Sequence, residues 1–168
     1  FKQEVIDYSY NASTKKCTVT VQDHENNAQY QVEANFVLDA SGFARVLPRL
    51  LDLEVPSDFP VRQAIFTHVD DNIPPNTFDR NKILITVHPK HVDVWFWLIP
   101  FSNGRCSLGV VAEQAFLDTV PGESADKLKF LVGEDAYLAQ LLGNAGWPNP
   151  IQAITGYSAN VKSLIGDG

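Results

Sequence analysis

The chain has 168 residues with 13 basic and 20 acidic side chains, giving a formal net charge of −7; that length fits one ordinary domain, or a domain with part of another. The acidic balance excludes the electrostatic footprint of a nucleic-acid binder or of a protein held on anionic lipid, and 45% hydrophobic with 20% charged residues excludes a disordered chain. Two cysteines, Cys17 and Cys106, exclude a disulfide framework and a four-thiolate zinc site.

Residues 16–22 (KCTVTVQ) alternate, with Cys17, Val19 and Val21 on one face of a strand. His24-Glu25-Asn26-Asn27 is turn chemistry, and residues 29–32 begin a return strand. Phe36-Val37-Leu38 is a short apolar run without alternation, which fits a strand buried on both faces of a parallel sheet. It ends in Asp39-Ala40-Ser41-Gly42, where Gly42 allows a sharp exit. A helical turn or two is expected over 44–51, limited by Pro48, and a linker over 56–60 (PSDFP). Strands follow at 61–69, 82–88, 91–101 and 105–112. Short connections predict an antiparallel meander, with a type I′ turn at Asn103-Gly104 and a long loop over 70–80. Helical spacing appears at 124–132 and 135–142, with Gly143 as a stop, and 151–161 returns as a strand. No apolar stretch approaches the roughly 20 residues that cross a bilayer, and no basic-then-apolar leader precedes the first strand, so a cytoplasmic protein is expected. The chain starts at Phe1, has no methionine and stops at Gly166-Asp167-Gly168; it reads as an excised piece of a longer protein.

Few residues present themselves for chemistry. His88 and His91 flank Pro89-Lys90 across a turn, no Cys or carboxylate cluster completes a metal set, and solvated histidines are expected. Cys17 and Cys106 lie in strands and read as small buried hydrophobes. No Gly-x-Ser-x-Gly elbow, Walker loop, general acid or general base is evident. In residues 93–100 (DVWFWLIP) a period of two puts Trp95, Trp97 and Ile99 on one face and Val94, Phe96 and Leu98 on the other. Both faces are apolar, so cover on both sides is expected. The tryptophan face is either core or an aromatic wall for a flat apolar ligand. Pro100 ends ladder donation and marks an edge or bend. Asp39-Ala40-Ser41-Gly42 suits a strand-end phosphate or sugar site, or a tight strand-to-helix turn with an Asp or Ser cap.

Trp95-Phe96-Trp97-Leu98-Ile99-Pro100 matches the Trp-x-Trp-x-Ile-Pro signature of flavin-dependent halogenases, which the chain resembles. Ser107-Leu108-Gly109-Val110-Val111 looks like the next strand in that family. Asp39-Ala40-Ser41-Gly42-Phe43 resembles the segment where the flavin domain's sheet returns to FAD. Ile165-Gly166-Asp167 resembles the start of the Gly-Asp motif that contacts FAD. Order and spacing agree with the wider family of p-hydroxybenzoate hydroxylase-like flavoproteins, which includes halogenases and geranylgeranyl-reductase-like enzymes. The Gly-x-Gly-x-x-Gly fingerprint and the halogenase catalytic Lys lie upstream in that family, and the Gly-Asp motif is cut at Gly168.

The resemblance implies an α+β fold: an antiparallel substrate-binding sheet with helices on one face, plus a hairpin-and-strand remnant of an FAD domain. Residues 1–45 would be that remnant, 46–60 a linker, 61–161 the substrate-binding domain with helices at about 114–143, and 162–168 the start of the truncated Gly-Asp motif. It implies FAD contacts at Asp39, Ser41, Gly42, Gly166 and Asp167, substrate contacts at Trp95, Trp97 and Pro100, no metal and no catalytic residue. FAD is expected in the longer parent, with weak or no binding by this segment. NAD(P)H or a flavin reductase is the implied electron source. The partner is a small hydrophobic or aromatic molecule, with a carrier protein left open and no nucleic acid. The reaction is oxygenation, oxidation of halide to hypohalite, or hydrogenation of a double bond. The alternative is a non-catalytic antiparallel-sheet module that binds a hydrophobic ligand or a protein.

Overall fold

Period-two alternation builds much of this chain into strands, all of them antiparallel. The computed structural model describes residues 2–166. In chain order the elements are β1 (Gln3–Asn11), β2 (Lys16–Asp23), β3 (Ala28–Ala34), a 3-10 turn (Gly42–Ala44), α1 (Val46–Leu50), β4 (Glu54–Val55), β5 (Arg62–Asp70), β6 (Leu84–Val87), β7 (Trp95–Pro100), β8 (Arg105–Glu113), α2 (Gln114–Leu117), α3 (Ser124–Glu134), α4 (Ala136–Leu141), β9 (Gln152–Thr155) and β10 (Asn160–Val161). The fold is α+β, as expected. The chain divides into two units, one of residues 2–58 with 159–166, the other Phe59–Ser158.

The first unit holds the sheet β1-β2-β3. Cys17 and Val21 are buried on one face of β2, as their spacing predicts, and Tyr8 Oη donates to Cys17 Sγ at 3.6 Å. Strand β1 escaped the sequence reading because its pattern slips: the register shifts between Val5 and Asp7, so Val5 and Ile6 stand side by side and the alternation breaks. Phe36-Val37-Leu38 departs from the expected buried strand. No strand forms there; Phe36 is 69% and Leu38 80% exposed. The run has the composition of a buried strand, but among the described residues no neighbouring strand pairs with it. Residues 46–60 are more than a linker. They carry α1 and β4, and β4 pairs with β10 (Asn160↔Val55), so the chain rejoins this unit after the second one.

The second unit is a five-stranded sheet, β6-β7-β8-β5-β9. Strands β6, β7 and β8 form the expected meander, but β5 lies against β8 rather than β6. The long loop after β5 therefore carries the chain across the sheet to its far edge. The Asn103-Gly104 turn also differs from expectation: only Gly104 takes a positive φ (+79°), whereas a type I′ turn needs two such residues. Ile65, Val69, Phe96, Leu98, Leu108 and Val110 face α2–α4 and form the core with Leu117, Leu128, Leu131, Leu138 and Leu141. Helix α3 starts with a Glu123/Asp126 capping box, and Asp135 caps α4 through the Tyr137 and Leu138 N–H groups. Pro100 sits beyond the last β6 pairing (Leu84↔Leu98), so its missing N–H breaks no ladder bond on that side.

A buried ion pair ties the crossover loop to the β7–β8 hairpin. Asp71 is 2% exposed. Its carboxylate accepts two bonds from Arg80 Nη1 at 2.9 Å, one from the Ile73 N–H at 3.1 Å and one from the Cys106 thiol at 3.1 Å. Arg80 Nη2 donates to the Phe101 carbonyl at 2.9 Å and the Arg105 carbonyl at 3.3 Å. Burial raises the Asp71 pKa, but the bonds from Cys106, Ile73 and Arg80 outweigh it and hold the carboxyl below the ordinary range. Burial first, then the Asp71 carboxylate, push the Cys106 thiol up to about 12, which makes it an inert donor.

Because the folded pKa of Asp71 is depressed, its contribution is complete above the unfolded value of about 3.9 and is lost as pH falls through the folded one. Asp71→Asn is expected to lower stability by about 1–3 kcal/mol at neutral pH, a range that already allows for Arg80 being 35% exposed. In urea unfolding the gap between parent and variant should narrow on acidification. A gap that stays constant down to the lowest pH at which both fold would remove the charge from the explanation.

Candidate functional site

The face of the second sheet opposite its helices carries three aromatic rings in a row. Trp95 and Trp97 point to the same side of β7, with ring centroids 6.3 Å apart. Phe66 on β5 lies 6.0 Å from the Trp97 ring at 40°. The register explains the alignment. Trp97 pairs with Gly109 on β8, and Gly109 pairs with Phe66 on β5. A Cβ on Gly109 would lie 2.2 Å from the six-membered ring of Trp97. The indole therefore crosses β8 over a residue without a side chain and meets Phe66 beyond it.

The neighbouring rows complete the surface. Trp95 lies opposite Val111, which is 2% exposed, and Val111 opposite Ala64. On the edge strand, Ile85 and Val87 pair with Trp97 and Trp95 and are 55% and 52% exposed. In the third row Ile99, Ser107 and His68 are paired, and the His68 ring meets Phe101 edge-on at 5.1 Å. The expected cover on both sides of β7 holds for one side only: Phe96 and Leu98 are fully buried, while both tryptophans stay partly open. Pro100 pairs with Cys106 on the helix side, so the sheet separates it from the tryptophans. The sequence reading missed Phe66, Ser107 and Gly109. The signal for Gly109 was an isolated glycine inside a strand pattern, which marks close approach of another group to the backbone.

The Asp39-to-Gly42 segment lies in the first unit. Asp39 Oδ1 accepts the Ser41 N–H at 2.7 Å, Asp39 Oδ2 the Leu47 N–H at 2.8 Å, and Ser41 Oγ the Val46 N–H at 2.9 Å. These side chains cap the turn into α1. Burial raises the Asp39 pKa, but the bonds from Ser41 and Leu47 prevail and hold it low. Gly42 takes φ +58° with open space where a Cβ would stand. Gly166 is likewise open, and Asp167 lies outside the described residues.

Of the histidines expected to be solvated, His24, His68 and His91 are exposed and His88 is not. His88 is buried rather than solvated. Its Nδ1 accepts the Lys90 N–H at 3.2 Å, so Nε2 carries the proton toward Glu134 Oε2 at 3.2 Å. Both nitrogens hold the β6–β7 turn and α3 together. Among the described residues no group of three or more His, Cys, Asp or Glu is placed to hold a metal, and no helix is long and apolar enough to cross a membrane.

The chain is similar in fold to solved flavoproteins. A flavoprotein/dehydrogenase from Cytophaga hutchinsonii matches 99% of this chain with TM-score 0.82 and 32% identity, over 39% of its own length. The myxobacterial chondrochloren halogenase, described as an FAD-dependent halogenase, matches 99% of this chain with TM-score 0.74 and 22% identity, over 38% of its length. A flavin-dependent brominase matches 99% with TM-score 0.71 and 23% identity, over 41% of its length. The chain thus spans about two fifths of the length of each of these three proteins. No family model and no curated protein matches it.

The clash at Gly109 yields a direct test. Gly109→Ala forces the Trp97 ring aside and is expected to cost about 1–3 kcal/mol. In a Trp97→Ala background most of that cost should vanish, which urea unfolding of the four proteins reads as a double-mutant cycle. Equal losses in both backgrounds would show that Gly109 serves the strand and not the indole.

Proposed function

We propose that this chain supplies the substrate wall, and part of the flavin cradle, of an FAD-dependent oxidoreductase acting on a hydrophobic or aromatic small molecule. The observation that carries the proposal is the row of Trp95, Trp97 and Phe66 on the open face of a sheet whose central strands are packed on the other face. The likeness to flavoproteins supports it. In this reading the expected 61–161 domain, bounded in the structure by Phe59–Ser158, binds substrate, the expected 1–45 remnant belongs to the FAD domain together with 46–58 and β10, and 162–168 opens the Gly-Asp motif.

In this reading FAD would be held mainly through backbone groups. Asp39 and Ser41 already hold three N–H groups of their own turn, so they would shape the loop, while Gly42 and Gly166 present uncovered backbone. Asp167 would join them. FAD, when bound, supplies the electron transfer, with electrons from NAD(P)H or a flavin reductase. The chain's own residues orient the substrate and exclude water. Trp95 and Trp97 offer planar apolar area against which a ring can stack. Pro100 contributes by ending β7, at the limit of the wall. Halogenation, oxygenation and reduction are separated by whether product formation depends on halide and O₂ together, on O₂ alone or on neither. A cytoplasmic location and a small-molecule substrate, with a carrier protein left open, complete the proposal.

Two results are expected. In the FAD-loaded parent, Trp97→Phe should lower kcat/KM per folded molecule roughly tenfold, about 1.4 kcal/mol, beside the modest stability cost of the void over Gly109 and the lost Ser107 bond. A large loss of melting temperature with unchanged turnover per folded molecule would make the ring ordinary packing. The 168-residue segment, which lacks a Gly-x-Gly-x-x-Gly fingerprint, should bind FAD more weakly than about 1 μM in a fluorescence titration. Tighter binding would contradict the placement of the main cradle elsewhere in the parent. A parent that carries no FAD would favour the non-catalytic binding module.

A further inference from the structure

Trp97 has a single polar atom, and it is occupied: Nε1–H donates to Ser107 Oγ at 3.0 Å. Ser107 stands on β8 two residues before Gly109, opposite Ile99 on one side and His68 on the other. The indole is therefore located from three directions. Its N–H is held by Ser107, its six-membered ring occupies the hollow over Gly109, and Phe66 meets it from β5.

We infer that Ser107 is a positioning residue for Trp97: it fixes the indole across β8 and sequesters its N–H, so that the wall selects planar apolar rings over rings presenting a hydrogen-bond acceptor. The inference rests on the reading of this face as the substrate wall. An indole with a free N–H is a ring with a donor at its rim, and it rewards a ligand that carries an acceptor there. With the N–H engaged by Ser107, Trp97 offers a ligand ring carbon alone. Selection then comes from stacking and area, and a ligand acceptor that loses water on binding finds no replacement from Trp97. Gly109 supplies the space and Ser107 the orientation. Removing the hydroxyl alone leaves the hollow intact and frees the ring to turn within it.

The test uses the 168-residue chain with Ser107→Thr, which keeps the hydroxyl, and Ser107→Val, which has nearly the same shape without it. Trp95 and Trp97, 6.3 Å apart at 51°, form a coupled pair whose exciton signal in circular dichroism depends on their mutual orientation. Ser107→Val should lose most of that signal and Ser107→Thr should retain it, with similar melting temperatures. A signal unchanged in Ser107→Val overturns the positioning role. Ser107→Ala serves the same comparison if the bulk of Val prevents folding. Binding of naphthalene and quinoline, followed by tryptophan quenching, then reads selectivity. The preference should move toward quinoline, whose ring nitrogen accepts, by about fivefold in the variant without the hydroxyl, the worth of one modest hydrogen bond. An unchanged preference overturns the selectivity. If neither probe binds any of the proteins while the exciton signal falls in Ser107→Val, the substrate-wall reading fails and the positioning of Trp97 by Ser107 stands.

Discussion

Gly109 sits in the middle of β8, with paired strands on both sides, and the six-membered ring of Trp97 fills the space that any side chain there would need. Because that space is empty, a side chain rooted on β7 can lie across β8 and reach Phe66 on β5. Ser107, two residues earlier on the same face, takes the indole N–H and gives the ring one orientation. The flat aromatic surface is thus a property of the strand register and not of the tryptophans alone. Shifting β7 by one residue against β8 would turn both indoles into the helical layer and Phe96 and Leu98 out of it.

The other face secures the register. Phe96, Leu98, Leu108 and Val110 are fully buried beneath α2–α4, and their burial fixes which residues of β7 and β8 point outward. The hairpin joining these strands is held from a distance by Arg80, which donates to two of its carbonyls while paired with buried Asp71. That pair also anchors the loop that carries the chain from β5 over to the edge strand β6. On the opposite flank His88 links the β6–β7 turn to Glu134 of α3, beside Lys90, whose ammonium is the largest cause of the lowered Glu134 pKa. Two polar clusters, one near each end of β7, thus hold an apolar sheet in a single arrangement.

Much of this was legible in the residue order. The period of two in β7 gave the residues that share each face, though not that the tryptophan face stays partly open, and the helical spacing of Leu128, Leu131 and Val132 located α3. Three features were hidden for physical reasons. The bulge in β1 puts Val5 and Ile6 side by side and disguises the alternation. The place of β5 next to β8 depends on long-range pairing, which local pattern does not carry. The run 36–38 has the composition of a buried strand, yet a strand forms only where another strand accepts its hydrogen bonds. For the site, the tryptophans announced themselves, while Phe66 and Ser107 acquire meaning only from the register. Asp39 and Ser41 could be named from sequence, but their engagement with the backbone of their own turn could not.

The central claim is that Trp95, Trp97 and Phe66 form a surface on which a planar substrate ring rests. The most direct measurement is a crystal structure of the FAD-loaded parent with its substrate or a planar aromatic analogue. The account predicts a ligand ring within about 4 Å of the Trp95 or Trp97 indole, with the Trp97 N–H still on Ser107. A ligand bound away from these rings, or an aromatic face covered by packed polypeptide, would contradict it.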